Sequence, residues 1–303
     1  MNFKNILSEF GGILFIILAV QLLSVMLVSP AMLHDQNLTA AAKEDFENPD
    51  SVSSIYSFLI QFIIGTIIFL LAVKLNLNVL LKLVFVGIVS LNTMVVVNLL
   101  LHEIVPYSEI LSTAIGLISM ILLFVYPVWY VIAPIGILVC STSSGFLGSY
   151  ISPFPITVLL VILIIVDHFA VNVSKYMITL ADATVKHSLP LAFQIPLPTT
   201  NNEINHELHT EFIDSTETTS EDDGVTTFQL MGFGDAVFPA TLAVSANVFI
   251  GSLAGGLTII GTLIGGLYLA KEGLKGKPLP GLPYLNTGAI VGLLLGMVCY
   301  WII

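Results

Sequence analysis

The chain has 303 residues, 56% of them hydrophobic and 10% charged, with a mean hydropathy of +0.99. A soluble globule of this size leaves too much surface in water to hide so much apolar side chain, and the continuous apolar runs exclude an outer-membrane barrel, whose strands alternate over about ten positions. The formal charge of −11 argues against nucleic acid as a partner, although most of the acids lie in two water-facing loops. What is left is an all-α polytopic membrane protein, several of its stretches exceeding the roughly 18 apolar residues needed to cross a bilayer.

The opening MNFKNILSEF leads into an apolar run from Gly11 to Val28. That run is longer than a signal-peptide core, so it reads as the first span, 10–29. Residues 30–52 follow as an external loop carrying Asp35, Glu44, Asp45, Glu47 and Asp50. Further spans are expected at 53–73, 79–101, 110–126, 128–148 and 155–179. Only Tyr126, Pro127 and Trp129 mark a turn between the fourth and the fifth, so eight spans is the alternative to nine. Residues 182–228, rich in Thr, Asn and acids such as Glu221, Asp222 and Asp223, predict a flexible loop. Its His187, His206 and His209 match no metal-ligand spacing, and no metal site is expected. Spans at 229–250, 255–271 and 284–303 complete nine transmembrane helices. Three regions result: a six-span half (1–181), the acidic loop (182–228) and a three-span half (229–303).

Small residues recur at helix-packing spacing, as Gly251 and Gly255, Gly261 and Gly265, then Gly288, Gly292 and Gly296. In lipid they allow helix backbones to approach closely. Cys140 and Cys299 fall in or beside spans and imply no disulfide framework. Asn92, Asn98, His168, Asn172 and Asn247 are expected to pack helices through hydrogen bonds.

The nine Lys, with no Arg, set the orientation, because cytoplasmic loops collect cations. With nine spans, Lys4, Lys74, Lys82, Lys175, Lys186, Lys271, Lys275 and Lys277 share one side and only Lys43 lies opposite. The protein is therefore expected as a multi-pass protein of the cell membrane, N-terminus in the cytoplasm and C-terminus outside.

Of twenty Asp and Glu residues, eighteen fall in loops or at span ends. The other two are Asp167, in the middle of the sixth span, and Asp235, about two turns into the seventh. A charge at the bilayer centre costs at least ~2.5 kcal/mol, so intramembrane acids are usually functional. Consecutive antiparallel spans can bring the two to one level. Carboxyls in contact in a low-dielectric site share a proton, and one can then draw a proton from water while its protonated partner polarises a scissile carbonyl. Gly232 and Gly234 allow a substrate backbone close to Asp235. Before the ninth span, Pro278, Pro280 and Pro283 predict an extended stretch able to hold an unwound substrate by main-chain hydrogen bonds. The competing reading of the same acids is a proton-coupled transporter or ion pathway.

These residues resemble the presenilin and signal peptide peptidase family of GxGD intramembrane aspartyl proteases, most closely its archaeal members. Gly232-Phe233-Gly234-Asp235 matches the GxGD motif. Asp167 matches the acid of the YD motif, with Val166 in place of Tyr, and Pro280-Gly281-Leu282 matches the PAL motif with Gly for Ala. The resemblance implies a presenilin-like bundle with Asp167 and Asp235 catalytic. It also implies that Gly232, Phe233, Gly234, Pro280, Gly281 and Leu282 contact substrate. The implied activity is endoproteolysis of transmembrane proteins or peptides within the lipid bilayer, with no metal or organic cofactor. Whether partner subunits are required, or a homo-oligomer forms, is left open.

Overall fold

The structure is a computed structural model. It describes residues 3–27, 60, 64–65, 68, 71, 75, 77–101, 105–126, 128–172, 192–196, 228–273 and 281–302. Among them are eight helices and one pair of strands: α1 (Phe3–Leu27), α2 (Asn78–Leu101), α3 (Ser108–Val125), α4 (Trp129–Tyr150), α5 (Pro153–Asn172), β1 (Ala192–Pro196), β2 (Phe228–Gly232), α6 (Phe233–Phe249), α7 (Ser252–Gly273) and α8 (Gly281–Ile302). Of the expected second span only 60, 64, 65, 68 and 71 are described, each in helical backbone. Among the described residues, eight of the nine expected helices are delimited.

Six of the helices (α1, α2, α3, α4, α7 and α8) are long and apolar enough to cross a membrane, whereas Pro153–Phe169 and Phe233–Phe249 are shorter apolar stretches. Their exteriors are apolar too, with Phe15, Ile88, Ile121, Ile264 and Leu294 all exposed. Such an exterior suits hydrocarbon rather than water. Tyr126 ends α3 with its N–H on the Leu122 carbonyl at 2.7 Å, and α4 starts at Trp129, so the fourth and fifth segments are separate helices.

At the centre stands α6. Ala236, Ala240, Leu242, Ala243, Val244, Ser245 and Ala246 are buried around its circumference, and α1, α4, α5, α7 and α8 all pack against it. A helix buried on every side needs small residues where neighbours press closest. Gly148 of α4 supplies one such place, since a Cβ there would lie 2.6 Å from the Thr241 carbonyl oxygen. Ser245 Oγ donates to the Ile151 carbonyl at 2.6 Å and ties α6 to the end of α4.

Helices α7 and α8 meet backbone to backbone. A Cβ on Gly261 would strike the Gly288 carbonyl oxygen, one on Gly265 the Tyr284 carbonyl oxygen and one on Gly292 the Leu257 carbonyl oxygen. The glycine series thus packs helices as expected. Gly251 differs: it sits in the α6–α7 turn at φ +145°, a conformation that excludes a Cβ on backbone grounds alone.

Two local departures concern the site. Residues 192–196, expected within a structureless loop, form β1, which pairs antiparallel with β2 so that Phe193 faces Met231 across the ladder. Residues 229–232, expected in the seventh helix, are strand. The cause is apolar burial: Phe193 and Met231 insert into a core built by Ile16, Ile17, Val20, Cys140, Ala236, Ala240 and Leu285. Complete burial of Phe193 contributes part of the free energy that orders these five residues.

Candidate active site

Asp235 is placed by the junction of β2 and α6. Gly232 is the N-cap, with φ −64° and ψ 145°, so the chain leaves the strand extended and enters the helix at Phe233. Asp235 is then the third helical residue, and the Gly232 N–H donates to its carboxylate. That is the reciprocal half of a capping box, in which an acid at this position returns to the N-cap amide. The acid therefore sits in the first turn of α6 rather than two turns in, because the strand takes the residues assigned to the helix. One turn later Pro239 has no N–H to offer the Asp235 carbonyl. Gly234 leaves its neighbour Phe238 in ordinary contact, a Cβ there lying 3.4 Å from the ring.

Phe233 does not project toward the acids. Its ring packs on Phe193, with centroids 4.6 Å apart, and both rings fill the space over Gly136 of α4, where a Cβ would lie 2.8 Å from each. Phe193 and Gly136 thus anchor the β1–β2 pair that leads into the helix carrying Asp235. Sequence reasoning missed both, although an apolar residue between Pro190 and Pro196 in a polar loop was the available signal.

Asp167 comes from α5, facing inward and 3% exposed, while its neighbours Val166 and His168 are exposed. Its Oδ2 accepts the Leu282 backbone N–H at 3.3 Å, and its Oδ1 has no partner. Leu282 has an N–H to give because α8 begins at Gly281, and the first turn of a helix leaves its amides without intrahelical acceptors. Asp167 thus caps α8 from another helix. Pro283 belongs to that first turn, where a missing N–H costs nothing, so residues 281–283 are helical rather than extended. Pro280 and the rest of the Pro-rich stretch lie outside the described residues.

Gly281 supplies the join. A Cβ built on it would lie 3.1 Å from Asp235 Oδ2 and 3.3 Å from its Cγ, while the next residue's N–H holds Asp167. Both carboxyls therefore converge on the 281–282 dipeptide. Among the described residues no group of three or more His, Cys, Asp or Glu is placed to hold a metal ion, and the loop histidines lie outside those residues.

A multi-pass helical bundle with two buried-face carboxyls meeting at one helix start belongs to the intramembrane aspartate protease class. The chain is a member of the family described as "Signal-peptide peptidase, presenilin aspartyl protease", whose pattern matches residues 14–302. Its fold is similar to two crystal forms of a presenilin family intramembrane aspartate protease. The C222 form has a TM-score of 0.66 and 25% identity, covering 95% of this chain and 98% of that one. The P2 form has a TM-score of 0.62 at the same identity, covering 95% and 97%. A search of the curated proteins returns no match. The protein is an intramembrane aspartyl protease.

Proposed function

We propose that Asp167 and Asp235 are the catalytic pair and act on one water molecule held between them. The observation that carries this reading is their convergence on Gly281 and Leu282. One carboxylate takes a proton from the water as its oxygen bonds to the scissile carbonyl carbon. The other, protonated, donates to the carbonyl oxygen. Collapse of the resulting diol breaks the C–N bond, and the proton taken from water passes to the leaving nitrogen. Carboxyls in low dielectric share one proton between them, so the pair rather than either residue is the functional unit.

Gly232, Gly234, Gly281 and Leu282 bound the space that an unwound substrate segment occupies, Pro280 contacts substrate on the family resemblance alone, and Phe233 holds the strand behind the site. The antiparallel β1–β2 pair adjoining Asp235 offers main-chain groups to an extended substrate. Nine spans, with the N-terminus cytoplasmic and the C-terminus outside, account for the Lys distribution. The acidic loop 182–228 then separates halves 1–181 and 229–303 on the cytoplasmic side. Substrates with an external N-terminus fit this orientation.

The test is purified protein in sealed vesicles with a single-span substrate and an internal pH-sensitive dye. The expected result is release of two peptides, cut within or beside the apolar span by mass spectrometry, with the proton gradient intact. Gradient collapse with the substrate uncut would overturn the reading.

A further inference from the structure

Many of the buried hydroxyl side chains among the described residues are satisfied on their own helix. Thr93, Ser141, Thr142, Ser149, Thr241, Thr258 and Thr262 donate to carbonyls four residues back. Asn286 of α8 does not. It is 0% exposed, and neither its Oδ1 nor its Nδ2 has a partner. In a membrane interior no bulk water is at hand, and each unpaired polar group costs several kcal/mol. Other buried atoms are also unpartnered, including both of Gln21 on α1; Asn286 differs in where it lies.

Asn286 is one turn beyond Leu282 and on the same face of α8. The positions flanking it on that face pack on α5. Leu282 clusters with Leu159 and Leu163, while Ala289 and Leu293 cluster with Ile156 and Leu160. Rising numbers on α8 therefore meet falling numbers on α5, and the two helices are antiparallel. Leu282 is level with Asp167, which puts Asn286 about 6 Å further along, level with Leu163. A helical side chain leans toward the N-terminus of its own helix. In an antiparallel pair the Asn286 amide thus leans back toward Asp167, and the Asp167 carboxyl leans forward toward Asn286. Asp167 Oδ1 is itself buried and unpartnered. Every other side chain named on this face is apolar.

We propose that Asn286 is a positioning residue, its amide holding a water that hydrogen-bonds Asp167 Oδ1. Oδ2 is fixed by Leu282 and Oδ1 by this bridge, so the carboxyl plane is set at both ends. The Asn286 Oδ1 accepts from the same water, and one molecule satisfies all three orphan atoms. The inference rests on Asp167 being catalytic.

Three variants test it in steady-state cleavage of a single-span peptide. Asn286→Leu keeps the branched heavy-atom shape and deletes the amide. Its kcat should fall on the order of tenfold, inside the ~10²-fold cost of misplacing a reacting group by an ångström, with KM and thermal midpoint unchanged. Asn286→Ser retains a hydroxyl and leaves room for water, and should recover most of that loss. An unchanged kcat in the Leu variant, a rise in KM alone, or a Ser variant as slow as Leu would each overturn the proposal. Asp167→Asn, run alongside, separates the two ideas: if it cleaves at the wild-type rate, the catalytic reading itself fails, whereas a severely slowed Asp167→Asn beside a fully active Asn286→Leu removes only the role given to Asn286.

Discussion

Asp235→Asn and Asp167→Asn are each expected to lower turnover by about 10²–10⁴-fold, the range supplied by one acid–base group. Both changes keep side-chain shape, so the fold and substrate affinity should hold and the loss should fall on kcat. The Asp235 change leaves the β2–α6 junction intact, because an amide oxygen still accepts from the Gly232 N–H. The Asp167 change likewise leaves an acceptor for Leu282. What each removes is a group able to exchange a proton with its partner. The double variant should therefore be no slower than the worse single one, since residues that act as a unit lose function together. Single-turnover peptide release, with KM measured from the same traces, checks both statements.

The second large effect is expected from the glycine seam between α7 and α8. Gly261→Val or Gly288→Val drives side-chain atoms into a backbone carbonyl of the facing helix. Backbone cannot rotate aside as a flexible side chain would, so the helices must separate. Overpacking of this kind costs typically about 1–3 kcal/mol. The functional loss should be larger than the stability loss suggests, because α8 carries Leu282 and Gly281, which adjoin the two acids. A shift of about 1 Å at a reacting group can cost 10²-fold in rate. Gly256→Ala is the matched control on α7: a Cβ there meets nothing within 4 Å, and both stability and rate should be kept. Thermal unfolding in detergent and kcat for the three proteins provide the comparison.

Much of this arrangement was legible in the residues. Length and hydropathy expose α1, α2, α3, α4, α7 and α8 because lipid demands about 20 apolar residues in a row, and bounds read from such runs fall within a few residues of the helices. The acids stood out for the complementary reason, that a carboxyl in hydrocarbon is costly. The glycine seam was visible as spacing. Composition hid what depends on a single side chain at long range. Phe193 organises β1 by filling the gap over Gly136, a partnership between residues far apart in sequence that no window average registers. The same strand displaced the start of α6 and so moved Asp235 from the second turn to the first. At the Pro-rich stretch, prolines read as helix breakers, yet Pro283 is tolerated because it stands in the opening turn of α8. That opening turn is also what leaves the Leu282 amide available to Asp167. The pairing of an acid with a distant helix start is tertiary information, and only the fold supplies it.

The central claim is that Asp167 and Asp235 flank a single site where a tetrahedral, hydroxyl-bearing intermediate forms. A peptide mimic carrying a non-hydrolysable hydroxyl group at the scissile position measures this directly, by titrating its affinity for the wild-type protein and for each Asp→Asn variant. The wild type should bind it more tightly than the parent peptide, by 10²-fold or more as transition-state analogues do, and either substitution should abolish the preference. Equal preference for the mimic in the Asp167→Asn protein would contradict the account.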